Sequence, residues 1–569
     1  MQIIKTLWVF AFLLLFICNT YSQSVYIPVN SWEYHLLDRL DIKNIDSGAV
    51  SIYSTKPTTR KLAVDYVYKL DSQSRIKRLN EYNDVTSIDL YNMDKLLMTS
   101  TDYLSKSTSK YNSKQNLLNR FWLNKANFYE VNTKDFQLVL NPLIQQTQGY
   151  EMVQKKHVYL NSKGLELRGM INKKIGFYAM LTDNQENGPN YYRNRVDSLQ
   201  AVPGNAFYKR FKPVGGTDKG QDYFDYRGYI TFKAAKSVEI QYGYDKNFIG
   251  NGYRSLFLSD VAAPTLFLKL NTKIWKLNYQ NLFMELTPTF TNATGGSLNG
   301  KKYAAMHHLG INVTNNFTLG LFESVIFERK DKFDFSYLVP VIFYRAVESG
   351  LGSSDNAVLG ADFKINFAQQ FQVYGQVLLD EFKLSYFKDK NWGLKIGGQA
   401  GLKYIDVAGI PNLDAQIEWN IVRPYTYTHF DSATTYTHYN QPLAHPLGAN
   451  FSDFIFITKY QASNKLNFEG KVFVMQQGQD SSLNQNKTFG GNIFSLYQRR
   501  TGDINQLLFQ GVKAKTLLVT MAAAYEIRPN LYLDASLLYR KFNKINANLN
   551  TMQLSAGVRW NMNRRLQEY

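Results

Sequence analysis

Residues 238–245 read Val238-Glu-Ile-Gln-Tyr-Gly-Tyr-Asp245, with Val238, Ile240, Tyr242 and Tyr244 on one face of an extended chain and Glu239, Gln241 and Asp245 on the other. Side chains of a strand alternate between faces, so the segment is a strand with one apolar and one polar side. The pattern recurs. Trp275, Leu277 and Tyr279 alternate with Lys276, Asn278 and Gln280, and Leu413, Ala415, Ile417, Trp419 and Ile421 with Asp414, Gln416, Glu418 and Asn420. Leu394, Ile396, Ala400, Leu402 and Tyr404 stand against Lys395, Gln399 and Lys403, and Met552, Leu554, Ala556, Val558, Trp560 and Met562 against Gln553, Ser555, Arg559 and Asn561. Repeated alternating segments of about ten residues suit a membrane barrel with lipid outside and a polar lumen. The expected fold is an all-β transmembrane barrel of antiparallel strands over residues 135–569.

The connections alternate in length. Short turns are expected at 172–174, 235–237, 272–273, 315–316, 368–370, 407–409, 463–464 and 528–530. Long ones lie at 186–223, 249–263, 288–302, 329–355, 383–391, 423–451, 477–514 and 543–550. In outer-membrane barrels the short turns face the periplasm and the long loops face outward. Residues 337–348 are apolar enough for a strand, but counting them would put the turn 368–370 on the outer side. Treating 329–355 as one loop with its own folded piece restores the alternation and gives about eighteen strands, with sixteen the alternative.

The composition fits. The chain of 569 residues is 44% hydrophobic and 20% charged, too apolar for a disordered chain, and lacks the long apolar runs of a helical membrane protein. A single cysteine excludes a disulfide scaffold and a multi-cysteine zinc site. Aromatic residues make up 15% of a chain whose mean hydropathy is only −0.33, as expected where tyrosine and tryptophan line two membrane interfaces. The closing Tyr569 is similar to the terminal aromatic of outer-membrane proteins. At the other end, Lys5 precedes an apolar run from Leu7 to Ile17, too short for a spanning helix. Residues 1–22 are expected to be a cleavable signal peptide, with Thr20 and Ser22 before a mature start at Gln23, and Cys18 lost with it. Ile17 occupies the place where lipoprotein processing wants a small residue.

From 23 to 134 the spacing is mostly helical. Asn30 or Ser31 can cap a helix with Trp32, Leu36, Leu37 and Leu40, and Thr58 or Thr59 one with Leu62, Val64, Val67 and Leu70. Two more are expected over 87–98 and 117–129. This segment is expected to cap or plug the barrel from the periplasm.

Enzymatic chemistry is not legible, and no catalytic residue, cofactor or metal is expected. The seven histidines show no metal-binding spacing, and His307 and His308, adjacent in a strand, point to opposite faces. Phosphate-cradling loops and nucleophile elbows are missing from the sequence. The net charge of +19 favours an anionic partner such as acidic polymer or lipopolysaccharide phosphates, while export argues against nucleic acid. Lumen candidates include Arg227, Lys233, Lys269, Lys276, Lys395, Lys403, Lys471, Arg540 and Arg559, partly matched by Glu239, Glu418, Glu469 and Asp534. The most distinctive loop carries Arg423-Pro-Tyr-Thr-Tyr-Thr-His-Phe-Asp431 and Tyr436-Thr-His-Tyr-Asn-Gln-Pro-Leu-Ala-His-Pro-Leu-Gly-Ala-Asn450. Its rings can stack on sugars or, alternatively, pack on one another as a rigid loop. The candidate polysaccharide contacts are Tyr425, Tyr427, His429, Tyr436, His438 and Tyr439, with Arg254 and Arg423 for acidic groups.

The plan as a whole resembles the Wzi-type capsule-assembly outer-membrane proteins, and within them a Bacteroidota branch that includes RemB-type gliding-motility proteins. The segments that carry the resemblance are Ser24-Val-Tyr-Ile-Pro-Val-Asn-Ser-Trp-Glu-Tyr34, Phe248-Ile-Gly-Asn-Gly-Tyr-Arg-Ser-Leu-Phe-Leu-Ser-Asp260, Tyr337-Leu-Val-Pro-Val-Ile-Phe-Tyr-Arg345 and the Tyr/His loop. The resemblance implies an outer-membrane lectin that retains capsule or exopolysaccharide, with the helical segment restricting the lumen. It raises as alternative a surface component of gliding motility or type IX secretion, with motility or secretion proteins as partners; a porin or transporter ranks third.

Overall fold

The computed structural model describes residues 24–569 apart from 44–53, 78–84, 105–108, 115–116, 119, 212–219, 293–297, 353, 382, 384 and 481–485. The expected signal peptide, Cys18 and Gln23 lie outside the described residues.

Eighteen antiparallel strands among the described residues close into a barrel, running from Phe136–Glu151 to Ala547–Trp560, where the last pairs with the first. The strand Val238–Asp245 shows why it closes this way round: Glu239, Gln241 and Asp245 are buried toward the lumen, while Tyr242 on the other face is exposed. Pairing with Thr265–Ile274 on one side and Gly220–Ala235 on the other keeps this parity, because a slip of one residue would turn every polar group to the outside.

Short connections join the strands at one end, and the long loops all lie at the other, where 152–155 and 545–546 are also tight turns. Residues 328–355 do form a single loop between Phe317–Phe327 and Asn356–Phe367. Two boundaries differ from expectation. Strands Thr265–Ile274 and Leu277–Leu286 pair Ile274 with Leu277, so the turn is Trp275-Lys276 rather than 272–273; Trp275 has a left-handed φ of 55° and Lys276 is not a lumen residue. Alternation cannot locate a two-residue turn, since the apolar parity of Trp275, Leu277 and Tyr279 runs straight through it. The stretch 543–550 is no long loop either. Lys544 pairs with Ala547 about Ile545-Asn546, and its asparagines extend the strands.

Among the described residues three α-helices precede the barrel: α1 (Trp32–Lys43), α2 (Arg60–Lys77) and α3 (Ser87–Thr99). Leu36, Leu37 and Leu40 of α1, Val64 and Val67 of α2, and Met93, Leu96 and Leu97 of α3 form one apolar cluster. Thr86 caps α3 in a reciprocal box with Asp89, satisfying amides that would otherwise lack partners. The fourth expected helix, 117–129, is instead bridged backbone, Leu117 to Phe121 and Phe121 to Tyr129, with Leu118 and Trp122 left-handed. Its rings pack on each other and on the barrel: Phe121 lies 5.0 Å from Phe128, and Trp122 stacks 6.3 Å from Trp560. The following short strand Tyr129–Asn132 pairs with Gln137 to Leu140 of the first barrel strand.

The chain does not finish on an edge strand. After Trp560, residues 561–569 turn into the lumen, where Lys471 meets Glu568 at 3.0 Å and Arg565 meets Glu186 at 3.2 Å. Tyr569 rests on Tyr191 at 5.8 Å between ring centroids, so it does not serve as the terminal strand aromatic expected from its position.

Candidate functional site

The lumen is filled from both ends. At the short-turn end, α1 sets Arg39 among Asp89 (3.0 Å), Asp406 (3.0 Å) and Asp414, and Lys43 between Asp89 (2.7 Å) and Asp406 (2.8 Å). Asp38 reaches Lys403 and Asp41 reaches Lys364, both at 2.7 Å, while Lys95 of α3 meets Glu526 at 2.7 Å. These barrel groups border the short turns, so charge pairs tie the helices to that end of the barrel. Burial disfavours every charge here, but the neighbouring cations overcome it: Lys403 holds Asp38 down at about 2, and Arg39 and Lys43 keep Asp89 below the usual carboxylate range.

From the other end the loops fold inward. Residues Thr55–Lys56 form a two-residue antiparallel ladder with Phe248–Ile249 of the loop 246–264, joining the N-terminal segment to a long loop inside the barrel. Glu418 holds the same loop, accepting from the amides of Tyr253 (2.6 Å) and Arg254 (3.0 Å) and from the Tyr374 hydroxyl (2.8 Å). Gly252 is required there, because a Cβ would come 2.4 Å from Glu418 Oε2. Leu256, Phe257 and Leu258 then join inward residues of the barrel wall in an apolar core. A cavity of about 710 Å³ lies between helices, inward loops and the returning segment 561–569, lined by Lys56, Arg195, Lys246 and Asp260 among others. Burial pushes Lys56 and Lys246 down to about 8.

The loop 423–450 completes this core. Tyr427 donates to Leu256 O at 2.7 Å, Tyr436 to Phe257 O at 2.8 Å, and the two rings stack 5.4 Å apart. His438 bridges the Thr287 amide (3.0 Å) and Pro264 O (3.1 Å), and His445 meets Asp453 at 3.0 Å. Of the eight residues expected to touch polysaccharide, Arg254, Tyr425, Tyr427, His429, Tyr436 and His438 are therefore buried in protein; Arg423 and Tyr439 are half-buried. Tyr427 and Tyr436 spend their rings on each other, Tyr425 meets Trp392 at 6.4 Å and Tyr439 meets Phe290 at 4.9 Å, and Arg254 faces Glu568 and the ring of Tyr253 rather than solvent. Arg423 bonds Leu394 O (2.9 Å) and Gln506 O (3.1 Å), tying three loops together.

Above Arg423 those loops assemble a rim cluster that the sequence did not reveal. Trp392 and Tyr497 lie 4.6 Å apart, Arg500 stands 4.3 Å over Trp392, and the partly exposed Phe430 takes the Gln498 amide on its carbonyl at 3.1 Å. Trp392, Tyr497 and Arg500 are half-buried, so each keeps a surface toward solvent. Trp392, Phe430 and the pair Tyr497 and Arg500 come from three separate stretches of the chain, and no local spacing marks them as a group.

The buried histidines make the loop acid-sensitive. Burial brings His429 down to about 4 and His438 to about 3, so the fold holds both neutral. The unfolded loop takes up protons near pH 6.5. Its stability is thus complete above that pH and is lost as pH falls through 6.5 toward 4. Hydrogen exchange of the amides in 423–450 should accelerate over this window; unchanged protection at pH 4 would contradict the assignment.

Residues 135–551 match the family described as capsule assembly protein Wzi. None of the curated proteins matches the sequence. Among solved structures the chain is similar to Wzi of Escherichia coli, described as an outer membrane protein involved in group 1 capsule assembly and a carbohydrate binding β-barrel: 13% identity, 94% of this chain and 99% of that one covered, TM-score 0.55. It is also similar to OprD of Pseudomonas aeruginosa (10% identity, 74% and 94% covered, TM-score 0.40) and to OccK8 of the same organism (9%, 74% and 97%, 0.41).

Proposed function

The chain belongs to the Wzi capsule assembly family, and from that premise we propose that it is an outer-membrane barrel that binds and retains surface polysaccharide at its long-loop end. The observation that carries this reading is the obstructed lumen: helices, inward loops and the segment 561–569 occupy much of it around one cavity, leaving the rim as the face a long polymer can meet. The short turns then face the periplasm, with the helical segment 23–134 closing that mouth. Acidic polymer suits the charge excess and the rim chemistry. Trp392, Tyr497 and Phe430 offer ring faces for sugars, and Arg500, paired through Nε with Asp503 at 2.6 Å, has further guanidinium donors for carboxylates. The loop 423–450 supports these rings from below.

Substituting Trp392, Tyr497 and Arg500 together by alanine is expected to release polysaccharide from cells at least tenfold, about 1.4 kcal/mol, at unchanged protein level in the membrane. Retention equal to the parent chain would sink the assignment of the rim. A deletion that stops surface spreading while leaving retained polysaccharide normal would favour motility machinery instead.

A further inference from the structure

The loop 328–355 does not extend past the rim but folds down the outside of the barrel. Phe333 packs on Tyr303 (5.4 Å) and Phe327 (5.3 Å), Tyr337 on Phe327 (4.7 Å), and Tyr344 on His307 (3.9 Å). All these wall residues have outward parity. His308, next to His307, points inward to Asp362 (2.7 Å) and Ser54 (3.1 Å), while Phe322, next to Glu323, stacks on Phe257 in the lumen.

Beneath the loop runs a polar row. Asn281 is paired with His307 and His307 with Glu323, across the strands Leu277–Leu286, Lys302–Asn312 and Phe317–Phe327. An amide, an imidazole and a carboxylate side by side on a barrel's apolar belt are costly to leave in hydrocarbon. They are not left there: Asn281 is 2%, His307 6% and Glu323 7% exposed, and the Arg345 amide donates to Glu323 at 2.9 Å. The opposite side of the loop is apolar and open, with Val341 84%, Phe343 79% and Phe335 75% exposed. It continues the belt formed by Leu321 and Leu359 on the strands below. Arg345, the exposed charged side chain of the helical turn Tyr344–Gly350 within this loop, is neutralised by Glu348 at 3.1 Å.

We propose that residues 333–351 form a strap inserted among the acyl chains of the outer leaflet, sealing the row Asn281, His307 and Glu323 from lipid. This rests on the outer-membrane reading above. Acyl chains are the fitting occupant because the open face is continuous with the belt and lies below the strand ends at Tyr303 and Phe327. A protein partner or a second copy would need to displace lipid from that same belt.

Nitroxide labels at Val341→Cys and Phe343→Cys test this in the full chain carrying C18S, reconstituted in vesicles of phosphatidylcholine and phosphatidylglycerol. Both positions are exposed, so labelling leaves packing intact. Val377→Cys on the barrel belt and Lys332→Cys at the start of the loop serve as lipid and water references. Collision with oxygen should exceed collision with a nickel chelate several-fold at 341 and 343, as at 377, and the order should reverse at 332. Nickel access at 341 and 343 with a normal 377 overturns the strap alone, as does shielding from both probes, which would mean a protein neighbour. Nickel access at 377 as well overturns the membrane reading and the strap with it.

Discussion

Arg39→Met will detach the helical segment from the barrel mouth. The guanidinium is 4% exposed and serves Asp89, Asp406 and Asp414 at once. Its removal leaves three carboxylates sharing Lys43 and His35, and an uncompensated buried charge costs about 3–5 kcal/mol. Because Asp406 and Asp414 belong to the barrel and Asp89 to α3, the loss falls on docking as well as on the helices themselves. The variant should remain a folded barrel while residues 24–128 become open to protease, and planar-bilayer recordings should pass from closed to conducting. Unchanged protection and conductance would mean that the apolar cluster and the remaining pairs hold the segment without Arg39. The parent chain should lose the same docking in acid, as pH falls through the depressed value near 2 of Asp38.

Tyr427→Ala will unseat the inward loop. The ring is 1% exposed, stacks on Tyr436 and donates to Leu256 O. Truncating a fully buried aromatic costs about 3–5 kcal/mol. Tyr427→Phe gives up one hydrogen bond, about 0.5–1.5 kcal/mol net, plus whatever the orphaned carbonyl cannot recover. Urea titration in detergent should order the three chains accordingly. The alanine variant should also release polysaccharide, although Tyr427 cannot touch it, because the rim rings rest on this loop. Equal midpoints for alanine and phenylalanine would show that the stack contributes little.

These outcomes turn on residues whose position the sequence discloses unevenly. Barrel class and strand parity were legible wherever one face meets water-like lumen and the other the belt, as at 238–245. They faded over 282–286 and in Lys302–Asn312 and Phe317–Phe327, where residues such as Met284, Met306 and Ile326 face an apolar core inside while the strap covers the outside. Both faces are then buried and alternation has nothing to report. The loop 423–450 was recognisable as unusual, but rings that stack on sugar and rings that stack on each other have the same composition. The direction in which its tyrosines point is fixed by Leu256 and Phe257, far away in sequence. The rim cluster is a product of three loops meeting, which only the closed barrel brings about.

The short strand Tyr129–Asn132 bears on how the cylinder is sewn shut. The last barrel strand covers only Ile144 to Glu151 of the first, against Gln553 to Trp560, and Tyr129–Asn132 covers Gln137 to Leu140 on the same edge. The N-terminal segment is thus a tailor's stitch in the seam as well as the proposed stopper. A chain beginning after residue 132 would leave the edge amides and carbonyls of Gln137 to Leu140 without their strand partner, an exposed edge that barrels otherwise abolish. Trimming the stopper therefore risks ripping the garment.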